Sequence, residues 1–467
     1  MKSASQDAGP RCRLKFASVA LSAACLGTVA SGATAFASAQ PAARQHVKAH
    51  RAKGNKAASA SCAPNAVKIT FWAWVPGMNR AVSAFNATHP KICVALSDVG
   101  AGLTEFTKID SALKAGTGAP DVFEDPYFEL PSFVATHDLV NLAKYGANKI
   151  KSNFEPWVWH EVSSGSAVYG IPGDSGPMGL YYNSALFKKF GLSIPKTWTQ
   201  FTSDAAKLHK ADPSAYMTNF AAEDLQWMAT LMEQSSAFPF KYRLGSTTVT
   251  IDWTGPKQMA FARYWQHLLS SKLVNATTDV SAQSFGDLDS GTDASWLSPA
   301  WGPSYFLPDA KKSLGVWRAA GIPQQRIGQN IQLDQGGSSY SVLTQSAHPA
   351  QAAEFAMWLN DTLRSWNILK TAPSLLFPTY KPLLAESAFR NVTTKLSGQT
   401  RPNVVFADAN AHVTPVQYPP FMTYALAQAA TVFGGVLNGK ETLPSAFRSF
   451  QKLLVTYAKS EGFTVRT

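Results

Sequence analysis

At 467 residues, with 45% hydrophobic and 15% charged side chains, the chain is too long for one hydrophobic core and has the composition of an ordered globule of two domains. Its formal charge of +12 invites a nucleic-acid reading, but nine of the Lys and Arg and only one acid fall within residues 1–61, leaving the remainder close to balance. So slight and dispersed an excess excludes the clustered basic face on which nucleic-acid binding depends.

The first segment is an export signal. Arg11, Arg13 and Lys15 precede an apolar stretch from Phe16 to Ala30, and small residues follow to Ala37-Ser38-Ala39, which has the spacing of a signal-peptidase site. The apolar stretch is too short to span a bilayer as a stable helix, and no later segment is longer, so residues 1–39 read as a signal peptide and any membrane partner as a separate chain. Ser22-Ala23-Ala24-Cys25 partly resembles a lipid-attachment motif but lacks the leucine three residues before the cysteine; tethering through Cys25 and removal with the signal both stay open. Residues 40–61 are basic, with almost no large apolar side chain, and read as a solvated tether. Cys62 and Cys93 then remain as an even pair in an exported chain. One stands before a strand and the other opens the next, so neighbouring strand starts in a parallel sheet predict a bridge.

Folding is predicted to begin with VKITFWAW from Val67, followed by a helix over 79–88, a strand over 92–97, a helix over 104–115 and a strand over 121–123. This is the opening of a doubly wound α/β sheet, in which ligands bind beyond the carboxyl ends of the strands. That places Trp74 and the loop Glu124-Asp125-Pro126-Tyr127 on one cleft. The next stretch, YGIPGDSGPMGLYYNSALFKKFGLSIPKTW over 169–198, holds an extended Gly/Pro run, a buried strand from Met178 to Tyr182, and a short helix closed by Gly191. It reads as a hinge.

Position for position, that stretch resembles the passage from first to second lobe in extracellular solute-binding proteins of family 1, the maltose-binding type that serves ATP-driven sugar importers. AGTGAPDVFED and the later IGQNIQLDQGGSSYSVLTQSAHPAQAAEFAMWLN resemble further segments of that family, the second being its return crossing; a third crossing is expected near 377–382. The resemblance spans nearly all of residues 66–460. It implies two doubly wound α/β lobes joined by a three-crossing hinge, with 62–173 and 328–378 forming lobe I, and 174–327 and 379–467 forming lobe II. It further implies a binding protein rather than an enzyme, acting as a monomer without a cofactor. A mono-, di- or oligosaccharide would be held between the lobes, ABC permease subunits would be the partners, and closure on the ligand would be the mechanism.

Aromatic residues make up 12% of the chain, including 13 Trp, which suits saccharides because pyranose C–H faces stack on π-clouds. Trp74 stands out by position, as does Trp301 in SPAWGPSYF, which resembles a loop of the family; Trp227 in EDLQWMATLMEQ suits either a platform or a core. Glu124 and Asp125 are adjacent, whereas the paired acids of a glycosidase come from separate elements, so acceptance of sugar hydroxyls is the better reading, with Asp125 first and Asp174 second. Tyr127, Tyr182, Gly337 and Tyr340 complete the expected binding set. Two alternatives stand beside it: a secreted carbohydrate-active enzyme, and a ferric-ion carrier of the same architecture using Tyr181-Tyr182. Against the carrier, no nearby His and carboxylate cluster completes a metal set. Near misses for enzyme motifs fail on particular residues. Glu441 follows Gly434–Lys440 where a phosphate-binding loop needs Ser or Thr, and Pro177 replaces the second glycine of a nucleophile elbow.

Overall fold

The computed structural model describes residues 62–371 and 376–467; the signal peptide, Cys25 and the basic tether lie outside them. The first sheet has strands β1 (Val67–Trp72), β2 (Ile92–Ser97), β3 (Val122–Pro126), β4 (Gly170–Pro172) and β8 (Ser338–Val342) in the order β2-β1-β3-β8-β4. β1, β2 and β3 are parallel, as the opening βαβ pattern predicts, and β8 runs antiparallel between β3 and β4. Helices Met78–Asn86 and Pro349–Asn360 cover one face, with the Phe71, Phe85 and Phe355 rings packed edge to face at centroid distances of 5.0 and 5.1 Å. Cys62 and Cys93 are joined by a disulfide with 5.6 Å between Cα atoms, within the ordinary range.

One boundary differs from expectation in a way that matters. β3 runs on to Pro126 and is buried throughout, so Glu124 and Asp125 are strand residues rather than loop residues. The cause is β8, which pairs along the whole of β3 with Tyr340 opposite Glu124 and Ser339 opposite Asp125. Successive strand side chains point to opposite faces, so the two acids look away from each other.

The second sheet centres on β5 (Met178–Asn183), flanked antiparallel by β6 (Ser295–Pro299) and β7 (Trp317–Gly321). Beyond β6 it continues through backbone bonds from Ala294 N to Tyr216 O, Met217 N to Leu273 O and Asn275 N to Thr218 O. Farther out in the same lobe, helix Leu443–Ser460 packs on helices Pro256–Ser270 and Met422–Leu437. Thr442 caps that helix by accepting from Ser445 N, Pro444 sits in the first turn, and Phe447 and Phe450 meet the fully buried Trp253 edge-on at 5.1 and 5.0 Å.

Three stretches pass between the sheets and are hydrogen-bonded to one another. Gly173 N donates to Ser338 O and Gln335 N to Gly176 O, both at 2.9 Å, tying the first crossing to the second. Ser175 N donates to Phe377 O at 2.9 Å and Thr379 N to Gly173 O at 3.1 Å, tying it to the third.

Candidate functional site

The hinge end of the first sheet gathers carboxyl groups. Glu124, 1% exposed, accepts from Trp74 N at 3.2 Å, Val75 N at 3.4 Å and Ser338 Oγ at 3.3 Å, so one side chain binds the turn after β1 to the start of β8. Ser338 N donates to Asp174 Oδ1 at 3.0 Å, and Gly176 N donates to Asp334 Oδ1 at 2.7 Å. Burial, followed by the charge of Asp174, pushes Glu124 up to about 8; burial pushes Asp174 up to about 7. Gly337 makes this close approach possible: its φ is +80°, and a Cβ there would lie 2.7 Å from Asp174 O and 2.8 Å from the Tyr127 ring.

The opposite wall comes from the second sheet. After β6, Trp301 immediately precedes the short helix Gly302–Phe306 and donates its indole N–H to Gln335 O at 2.9 Å. Tyr305, one helical turn on, meets the Trp301 ring edge to face at 5.7 Å and keeps 43% of its surface accessible. Burial, then the charges of Glu124 and Asp174, push its phenol up to about 12. Asp224 caps helix Leu225–Glu233 by accepting from Trp227 N at 2.9 Å, and also accepts from Gln335 Nε2 at 3.1 Å. Asp279 accepts from Trp296 Nε1 at 2.9 Å and Asn219 Nδ2 at 3.2 Å.

Of the residues expected from sequence, Trp74, Glu124, Asp174 and Trp301 come together here, with Gly337 beneath them. Trp74 is half-buried, edge-on to Phe106 at 6.3 Å. The others pack behind this point or away from it. Asp125 is fully buried on the far face of β3, accepting from Ser341 Oγ at 2.7 Å, because the strand pleat turns it away from Glu124. Trp227 is 1% exposed and donates to Leu297 O at 2.9 Å, a core position set by the buried face of its helix. Tyr127 is 2% exposed and donates to Asp174 O at 2.9 Å, serving as a strut under the hinge. Tyr340 is fully buried opposite Glu124. Tyr182 packs on Phe187 at 4.8 Å while Tyr181 turns to Phe406 at 5.2 Å, so the adjacent tyrosines do not converge on one point. Sequence reasoning missed Tyr305, Asp224 and Gln335; the four-residue step from Trp301 to Tyr305 on one helix was the signal that could have found the first.

Residues 73–362 match the model of the bacterial extracellular solute-binding proteins. The chain belongs to this family. It is 28% identical over 323 residues to the lactose-binding protein of Rhizobium radiobacter, covering 63% of this chain and 71% of that one. It is also similar in structure to the ABC transporter associated binding protein of B. animalis subsp. lactis Bl-04, solved in complex with beta-1,6-galactobiose. There the identity is 30% and the TM-score 0.74, over 86% of this chain and 100% of the other. The galacto-N-biose-/lacto-N-biose I-binding protein of Bifidobacterium longum, at 23% identity and a TM-score of 0.74 over 86% of this chain and 99% of its own, shares the fold. The two α/β lobes and three-stranded hinge are thus the architecture of type II periplasmic sugar-binding proteins.

Proposed function

We propose that the chain is the substrate-binding component of an ABC sugar importer and closes on a saccharide between its lobes. One observation carries the reading: half-buried Trp74, on the turn that Glu124 holds, and Trp301 with Tyr305, tied to the second crossing through Gln335 O, adjoin the hinge segments that carry Glu124 and Asp174. Aromatic faces take the apolar faces of a pyranose and carboxylates take its hydroxyls. Glu124 and Asp174 replace Asp125 as the hydroxyl acceptors in this reading, since Asp125 is sealed on the other face. Contacts from both lobes exist together only when the cleft is shut, so ligand shifts the molecule toward closure. The family and relatives are binding proteins, and this chain is read likewise as a binder without turnover, a monomer, exported by residues 1–39 and delivering its ligand to separate permease subunits. Lobe boundaries near the three crossings follow from the same reading.

A thermal-shift and calorimetric screen of lactose, beta-1,6-galactobiose, lacto-N-biose and longer oligosaccharides tests it. Saturable binding with a fall in radius of gyration is the expected result. Binding of no saccharide, or consumption of the sugar during the titration, would overturn it.

A further inference from the structure

Resting on the sugar-binding reading above, we infer that this cleft sorts saccharides by charge, accepting neutral ones and refusing those that carry a carboxylate, sulfate or phosphate. The observation is a lopsided inventory. Glu124, Asp174 and Asp334 stand at the hinge, and Asp224 and Asp279 stand on the second-lobe side, joined to the hinge by the Gln335 to Asp224 bond. No lysine, arginine or histidine is among the main influences on any of these five. Apart from burial and hydrogen bonds, what acts on them is other acids: Asp174 on Glu124 and on Asp334, Glu223 on Asp224, Asp224 on Asp279. Lys108 is felt by Glu105, in the helix behind Glu124, and not by these groups. The described ion pairs, Lys370 with Glu386 and Arg390 with Asp408, involve none of them.

A second, independent observation lies in what surrounds the acids. The Tyr340 hydroxyl is fully buried and has no hydrogen-bond partner, although the charges of Glu124 and Asp174 both act on it. Both carboxyl oxygens of the fully buried Glu105 are likewise unpartnered, with Glu124 and Asp125 acting on them. Among the described residues the ion pairs give these acids no cation, and the unpartnered Tyr340 hydroxyl, a neutral donor, is sealed off by its burial. A ligand entering this wall must bring donors of its own, which sugar hydroxyls do. An anionic substituent brings only acceptors and charge of the same sign, in a place with little water to screen it. The tyrosines nearest the acids, Tyr127, Tyr305 and Tyr340, are all held above the usual phenol range and stay neutral, so they add no charge of either sign.

The test uses three probes of one shape: a neutral disaccharide that the screen shows to bind, taken first as beta-1,6-galactobiose, then its uronate and its uronamide. At pH 8.5, where the acids are ionised most fully, the uronate should bind roughly a hundredfold more weakly than the uronamide, as like-charge juxtaposition predicts. At pH 5.5, where protonation removes much of the charge, the gap should narrow at least tenfold, and Asp174→Asn should narrow it at pH 8.5. Equal affinity of uronate and uronamide at pH 8.5, a gap that does not move with pH, or rejection of both by shape would each overturn charge sorting while leaving sugar binding intact. If no neutral saccharide binds at all, it is the functional reading that fails.

Discussion

On the first-lobe side of the cleft Glu124 is held by three donors in a strand paired on both edges, whereas on the second-lobe side Trp301 and Tyr305 stand on a helix of five residues and Tyr305 keeps 43% of its surface in solvent. One wall is polar and fixed before ligand arrives; the other is aromatic and only lightly held. A preorganised acceptor loses little freedom on binding and so sets orientation, while a ring on a short helix can adjust to the face of the sugar it meets. On the proposed function, orientation and fit are thus divided between the lobes, and a ligand satisfies both only by bringing them together.

The largest expected effect asks whether the fixed wall owes its rigidity to the bridge at its edge. Replacing Cys62 and Cys93 by Ala opens a loop of sequence separation 31 and should lower stability by about 3–4 kcal/mol in denaturant titration, with sugar affinity unchanged in the folded protein. A fall in affinity would mean that the bridge shapes the wall as well as stabilising it. Gly337→Ala strikes the junction of the walls, where φ is +80° and the added Cβ meets backbone; a loss of about 3 kcal/mol together with weakened binding is expected from thermal melts and calorimetry. Trp74→Ala and Trp301→Ala should each weaken sugar binding by roughly 1–3 kcal/mol, and equal losses would show that both walls grip the ring. If Trp301→Ala alone matters, the first wall is purely polar. Tyr305→Phe removes one hydroxyl from the adjustable side and should cost only about 0.5–1.5 kcal/mol of binding.

The titration of the polar wall sharpens the contrast further. Glu124 and Asp174, raised to about 8 and about 7, hold protons more tightly in the fold than in the unfolded chain, so the native state binds more protons between about pH 4.5 and 8. Stability of the ligand-free protein should therefore fall as pH rises through that window, and Glu124→Gln should flatten the slope; an unchanged slope would assign it to other buried acids.

Much of the first lobe is legible in the sequence, because β1, β2 and their helices follow one another in the chain and each carries its own periodic signal. The extent of β3 is not, since its partner β8 lies more than 200 residues later, as the Ser339 to Asp125 bond across a separation of 214 makes plain. That pairing decides which of two adjacent acids reaches the turn after β1, and a one-residue change of register would reverse the answer. The second sheet was harder still. Ser-Trp-Leu-Ser-Pro and Trp-Arg-Ala-Ala-Gly show little alternation, and their pairing with β5 is antiparallel. Trp227 and Trp301 illustrate the limit for aromatics: each has a plausible sequence context, and only the depth of its helix separates a core ring from a platform.

The bridge between Cys62 and Cys93 also bears on how the molecule would carry mechanical load. β1 and β2 start side by side in parallel, with Lys68 in register with Cys93. A pull on the chain at Cys62 would otherwise bear on β1 alone, which β2 and β3 hold on either side. With the bridge in place the force divides between two strands and acts along their length, so many bonds resist at once. Whatever drags the chain from its amino-terminal side acts through the bridged pair Cys62 and Cys93.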